Sequence, residues 1–201
     1  GQSEILLAGR HGRCCRFDEN DARALGRTAS GVRGINIDDD DEVIGMIAYD
    51  PTAEDAQAHS LLVVSENGYG KRSDFDEYRK TNRGGKGVKT LNITDKTGDL
   101  IAIKDVVDGD DLMIINKSGI LIRIAVDTLR VMGRATQGVR LINLRNNDEI
   151  AAVTKVSADI IETEEEMLED ETLNNEELTN EISSTDETNA SDEAIENTEN
   201  Q

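Results

Sequence analysis

The chain has 201 residues, with 22 Lys and Arg against 42 Asp and Glu, a net charge of −20. Taken whole, that balance argues against a polyanionic partner. The longest apolar runs, such as residues 112–115, are far too short to span a membrane. A chain that opens on Gly1 rather than Met reads as a piece of something longer, and its start has no signal-peptide pattern.

In chain order, an apolar run at 5–8 predicts a first strand, running into a turn at Gly12. Cys14 and Cys15 follow, the only cysteines. Adjacent strand residues point to opposite faces, so these two are poorly placed to pair, and two reduced thiols in a reducing compartment are expected. Ile35, Asn36 and Ile37 alternate with period two, which predicts a half-buried strand. The acids at 38–42 are spaced like a calcium loop, but Val43 stands where that loop needs Gly, which favours a solvated turn. The polar stretch 51–60 reads as a loop insertion. Residues 61–64 and 112–115 are two further strands, each leading into a glycine turn, Asn67-Gly68 and Ser118-Gly119, with a second short strand expected after it. Leu91, Asn92, Ile93 and Ile142, Asn143, Leu144 repeat the earlier alternation. Helix signals are weak throughout 1–156.

Residues 157–201 hold 17 acids and no Lys or Arg. Subtracting those from the chain's 42 leaves 25 acids against all 22 bases in residues 1–156, a net charge of about −3. A nearly neutral body is thus followed by a strongly acidic tail. With few apolar residues the tail cannot offset its chain entropy, so disorder is expected, with a short helix conceivable at 161–168.

The body repeats. Gly31, Gly87 and Gly138 each lie 19 residues after another glycine, Gly12, Gly68 and Gly119, which sets three units 56 and 51 residues apart. Val32, Val88 and Val139 follow the second glycine in every unit. Approximate units are 5–50, 61–108 and 112–156. Each holds about four short strands, which predicts an all-β, propeller-like architecture of about three blades that bury their apolar faces by stacking.

Four columns of the repeat are basic in all three units: Arg16, Arg72, Arg123; Arg23, Arg79, Arg130; Arg27, Arg83, Arg134; and Arg33, Lys89, Arg140. These twelve are over half of the chain's 22 bases. Recurrence at equivalent positions would set a similar positive patch on every blade, suited to a polyanion laid along a rim and held by phosphate contacts that read no sequence. The competing reading is structural. Such arginines can brace turns or pair with the acidic runs at 38–42 and 108–111, and the last column can snorkel from an apolar face. Lys71 beside Arg72, and Lys86 within the second unit, join the candidates. The chain has no Trp and only five other aromatic residues, so the stacking platforms of single-strand and RNA binders are missing and duplex backbone is the expected ligand.

Other chemistry finds little footing. Gly85-Lys86 would need Gly at 80 and Ser or Thr at 87 to be a phosphate loop, but the chain has Lys80 and Gly87. His11 and His59 are the only histidines, in apparent turns with no metal-ligand or triad setting.

Residues 80–91, KTNRGGKGVKTL, resemble the box of the DNA gyrase A C-terminal domain family, Q-(K/R)-R-G-G-K-G, at Arg83, Gly84, Gly85, Lys86 and Gly87. Thr81 and Asn82 depart from its first two positions, so this reads as a degenerate copy, with a full box expected upstream of Gly1. RALGRTASGVRGI at 23–35, NGYGKR at 67–72, DEYR at 76–79 and VMGRATQGVRLI at 131–142 are similar to the family's late blades, and the likeness covers residues 1 to about 156. The resemblance implies a β-pinwheel whose blades exchange strands and whose basic rim wraps duplex DNA with positive handedness. That wrap would serve ATP-dependent negative supercoiling by a bacterial type II topoisomerase. It implies a cytoplasmic, nucleoid-associated protein. Its partners would be duplex DNA, the remainder of the gyrase A chain, and the gyrase B chain of an A2B2 heterotetramer. ATP and magnesium would be bound elsewhere in that enzyme. No cofactor, metal or catalytic residue is expected in this chain: Tyr49, Tyr69 and Tyr78 lack the family's catalytic-tyrosine motif and read as structural or rim residues.

Two alternatives stand beside this. One is the equivalent domain of topoisomerase IV, which shares the repeat. The other is a protein-binding propeller whose acidic tail engages basic partners. Two further expectations follow. An arc of three blades leaves open faces that favour self-association. The tethered acidic tail competes with DNA for the arginine columns.

Overall fold

The computed structural model describes residues 1–145, 148–158 and 160; the expected tail beyond them, and the helix at 161–168, lie outside the described residues. Gly1–Ser157 forms one compact all-β unit. Strands are β1 Glu4–Gly9, β2 Arg13–Asp18, β3 Val43–Tyr49, β4 Ser60–Ser65, β5 Tyr69–Asp74, β6 Val88–Lys89, β7 Leu100–Val106, β8 Asp111–Asn116, β9 Leu121–Ala125, β10 Val139–Arg140 and β11 Ile150–Val156.

They build three antiparallel sheets, ordered β3-β1-β2-β6, β10-β5-β4-β7 and β11-β8-β9. Each sheet is centred on one of the hairpins expected from the glycine turns. Gly12, Gly68 and Gly119 take φ of 76°, 82° and 86°, a region that costs other residues about 1–2 kcal/mol. The fourth strand of each full sheet comes from the next repeat. β6 of the second unit pairs with β2 of the first, with Val88 opposite Cys14 and Lys89 opposite Arg13. β10 of the third unit pairs with β5 of the second, with Val139 opposite Gly70 and Arg140 opposite Tyr69. Strand exchange between blades is thus built in. Among the described residues the third sheet has three strands, because its repeat lends β10 to the sheet before it.

The alternating segments centred on Asn36, Asn92 and Asn143 correct the expectation of half-buried strands there. Residues 35–37, 91–93 and 142–144 are not regular strand. The chain there crosses to the neighbouring blade: the N–H groups of Thr90 and Leu141 donate to the carbonyls of Gly12 and Gly68, both at 2.8 Å. The alternation survives in part as burial, with Leu91 and Ile35 inside. The insertion 51–60 is not purely a loop either. It holds one 3₁₀ turn, Ala56–Ala58, whose buried Ala56 carbonyl accepts from the Tyr49 hydroxyl at 3.2 Å.

The core lies between sheets. Leu6, Ala8, Cys14, Ile47 and Tyr49 of the first unit pack with Leu61, Val63, Phe75 and Leu100 of the second. Leu62 and Val64 point the other way, into a cluster with Leu112, Ile114, Val126 and Ile150 of the third. β4 is therefore buried on both faces, which is why SLLVVS reads as an unbroken apolar run rather than an alternation. Cys14 and Cys15 are free, buried and turned to different clusters.

Candidate nucleic-acid interface

The four basic columns have four different fates, set by where the repeat places them. The first lies on the second strand of each hairpin. Arg16 is 8% exposed. Its Nε pairs with Glu4, and its Nη1 donates to the carbonyls of Phe75 at 2.6 Å and Tyr78 at 3.1 Å in the next repeat. Arg72 does the same one unit on, donating from Nε to the Leu129 carbonyl at 2.5 Å and from Nη1 to Asp108 at 2.5 Å. Leu129 is the repeat equivalent of Tyr78. These side chains staple one blade to the 3₁₀ turn of the following one. Arg123, the third of the column, sits on the last sheet and pairs with Asp111 while remaining exposed. Arg16 and Arg72 are therefore withdrawn from the candidate contacts, since a guanidinium spent on buried carbonyls cannot also face a phosphate.

Lys71 is withdrawn for the same reason. It is fully buried, and its Nζ donates to the carbonyls of Gly133, at 2.7 Å, and Arg134, and to Thr136 Oγ1 at 3.1 Å. Burial pulls its ammonium down to about 8, against which the Glu77 carboxylate acts.

The second column behaves oppositely. Arg23, Arg79 and Arg130 are exposed and make no hydrogen bond or ion pair among the described residues. Each lies just after the 3₁₀ turn that follows the hairpin: Glu19–Asp21, Phe75–Glu77 and Val126–Thr128. The turn holds the backbone while the side chain reaches solvent.

The third column is divided. Arg27 is exposed and unpaired among the described residues. Arg83 reaches back to the first repeat, donating to the carbonyls of Asp21 at 2.9 Å and Arg33 at 2.5 Å. Arg134 donates to the Lys89 carbonyl at 2.8 Å, the same point of the repeat. In the fourth column Arg33, Lys89 and Arg140 are exposed rather than snorkelled. The Arg140 guanidinium donates to the Tyr69 hydroxyl at 2.8 Å from Nη2, and that bond holds the phenol's pKa below its ordinary value.

The box-like loop is formed by backbone. Gly84 and Gly87 have φ of 80° and 70°. A Cβ on Gly87 would lie 2.5 Å from the Cys14 carbonyl oxygen, so no larger residue fits where β6 enters the first sheet. Arg79, Arg83, Lys86 and the three glycines line a shallow depression of about 410 Å³. Lys86 is exposed and unpaired among the described residues, so two free cations, Arg79 and Lys86, flank it.

Three consecutive stretches, residues 3–50, 59–106 and 110–157, match the model of the DNA gyrase C-terminal domain, a β-propeller. The chain belongs to that family. The DNA gyrase A protein of Staphylococcus aureus strain NCTC 8325 is 44% identical over 171 residues, covering 85% of this chain and 18% of the relative. That of strain MRSA252 is 43% identical over 166 residues, covering 83% and 18%. The chain thus spans about a fifth of the curated relatives' length. A solved DNA gyrase A C-terminal domain superposes with a TM-score of 0.67 at 23% identity, covering 77% of this chain and 50% of that one. The C-terminal domain of a DNA topoisomerase IV superposes with 0.73 at 24% identity, covering 85% and 52%. At that identity both likenesses speak to the β-pinwheel fold alone.

Two of the three tyrosines are held in the fold. Tyr49 stacks on Phe75 at 4.0 Å between centroids, and Tyr78 is fully buried with its hydroxyl 2.5 Å from Thr90 Oγ1. Sequence reasoning missed one linking residue, Lys80, which ties the second repeat to Glu4 at 3.2 Å and Asp18 at 2.7 Å of the first. No column announced it, because its equivalents are Ala24 and Val131.

Proposed function

We propose that this domain binds duplex DNA along its outer loops without reading sequence, as the wrapping module of a gyrase A-type protein, and contributes no bond-making chemistry. The observation that carries this is the second column. Three arginines at equivalent positions of three blades are exposed and spent on nothing within the described fold, while neighbouring columns are consumed by it. Repeated free cations at one point per blade suit a backbone that passes each blade in turn. Lys86 and Arg27 extend the set, and Arg83 and Arg134 serve chiefly to hold the loops that present it. Wrapping would support ATP-dependent negative supercoiling of DNA by a cytoplasmic enzyme in which ATP, magnesium, the gyrase B chain and the catalytic tyrosine lie outside this chain. The gyrase reading is preferred over topoisomerase IV because the 44% identity is to gyrase A proteins.

The test is the triple change Arg23→Ala, Arg79→Ala and Arg130→Ala. Affinity for any duplex should fall about equally, and the slope of log K against log salt should flatten by about 0.9 per lost contact. Unchanged affinity and slope in a folded triple variant would reject this column as the DNA contact.

A further inference from the structure

The two blade joints, β2 with β6 and β5 with β10, share one backbone construction, and each sets residues of adjacent repeats face to face. At the second joint one such pair is Tyr69 and Arg140. It satisfies itself: the Arg140 guanidinium donates to the Tyr69 hydroxyl, from Nη2 at 2.8 Å and from Nε at 3.2 Å. Glu66, Asp148 and Glu149 line the same depression. At the first joint the equivalent pair is Arg13 and Lys89. Two cations there hold opposed positions of an antiparallel pair, where Cα atoms stand about 4.5–5.5 Å apart and like charges destabilise.

Among the described residues nothing relieves that repulsion. Arg13 and Lys89 are exposed, and neither forms an ion pair there. Their side-chain contacts are long, Arg13 Nη1 to the Gly87 carbonyl at 3.4 Å and Lys89 Nζ to Asn92 Oδ1 at 3.3 Å, so most of their donors stay open. Further cations converge on the pair. Arg134 donates to the Lys89 carbonyl at 2.8 Å, and Lys86 lines a small depression with Arg13. Asp38 and Asp41 line that depression too, but neither comes within ion-pair distance of Arg13, and Asp41 accepts from the N–H groups of His11 at 3.0 Å and Glu42 at 2.9 Å. The cluster lies at an internal joint and draws on all three repeats.

We propose that Arg13 and Lys89 form a clamp for a phosphate group, and that a phosphodiester held between them supplies the counter-charge that fastens the second blade to the first. The clamp rests on the duplex-binding reading and adds to it. Arg13 belongs to none of the four basic columns, and the contact spans a joint instead of sitting on one blade. A guanidinium and an ammonium on one face offer charged donors to two oxygens of the same phosphate. The anion binds only the joined strands, so binding and joining reinforce each other. The second joint, where Arg140 already has the Tyr69 hydroxyl, gains little from an anion.

The test uses the whole 201-residue chain and duplex DNA of mixed sequence, with amide hydrogen exchange read at β6 and β10. Duplex should slow exchange at β6 several-fold more than at β10. Arg13→Glu sets an acid opposite Lys89, so β6 should exchange more slowly than in the native chain before DNA is added and gain no further protection afterwards. Its affinity for duplex should fall. Arg13→Gln combined with Lys89→Gln should flatten the slope of log K against log salt by about 1.8, two contacts at about 0.9 each. Inorganic polyphosphate in place of duplex separates the two sources of phosphate, and protection from polyphosphate alone overturns DNA as the occupant. Equal protection of both joints by duplex, faster exchange at β6 in Arg13→Glu, or an unchanged slope in the folded double variant overturns the clamp and leaves the wrapping reading standing. A native chain that binds no duplex overturns both.

Discussion

The second and third sheets have nearly the same hairpin sequence pattern but different surroundings. In the second, all six residues of β4 are buried, Leu61 and Val63 against the first repeat and Leu62 and Val64 against the third. In the third, β8 alternates, with Leu112 and Ile114 buried and Met113 and Ile115 only half so. The second sheet receives a strand from its successor, and among the described residues the third does not. A blade's stability thus resides largely in its neighbours, as expected of repeat architectures. The same position in the repeat is a core residue or a surface residue according to which blade it sits in.

Substitutions at matched positions can break that comparison. The largest difference should be in the central strand. Leu62→Ala removes a fully buried side chain and should cost about 4 kcal/mol, whereas Met113→Ala, on the half-covered face of β8, should cost about 1 kcal/mol. Denaturant unfolding of the two variants measures both, and equal losses would mean that the third blade is as enclosed as the second.

The arginine staples come next. Arg16→Ala strands Glu4 and two buried carbonyls, and should cost about 3 kcal/mol even with Lys80 still beside Glu4. Arg123→Ala, its equivalent on the open sheet, breaks a surface pair with Asp111 and should stay under about 1 kcal/mol. The same unfolding experiment reads the gap, and a gap near zero would remove the stapling role.

Glycines sharpen the picture further. Gly87→Ala and Gly31→Ala carry the same positive-φ strain, but only Gly87 abuts the carbonyl of Cys14. Thermal unfolding should show Gly87→Ala costing about 2 kcal/mol more.

A pH-dependent difference should appear at Lys71, which reaches into the 133–136 loop where the first blade has Cys15 against Thr81. Its folded pKa, lowered by burial to about 8, lies below its unfolded value of 10.5. The folded state therefore holds fewer protons between those values, and this group's contribution to stability should rise as pH climbs from about 8 to 10.5. Lys71→Met should lack that rise when unfolding is followed across the range.

Much of this was legible in the residues. The glycine spacing of 19, the apolar runs at 5–8, 61–64 and 112–115, and the turns at Asn67-Gly68 and Ser118-Gly119 placed three hairpins close to where they stand, because turns that need positive φ announce themselves through glycine. The GVR and GVK segments also marked repeat equivalence. They did not show that each lies on the preceding repeat's sheet, since a two-residue strand has no periodicity to read.

The basic columns show the limit most clearly. Position along the chain fixes which residues are charged and that they recur; it does not say what stands opposite them. Arg16 and Arg23 look alike in sequence, seven residues apart in the same repeat. One is buried on the carbonyls of Phe75 and Tyr78, the other reaches solvent, because only the stacking of blades brings those carbonyls within 3.1 Å of Arg16. Sequence by itself determined the repeat, the hairpins and the chemistry available in each column. Tertiary structure decided which arginines bind the protein to itself and which remain for a partner, because long-range contacts between blades set desolvation and hydrogen-bond partners for each one.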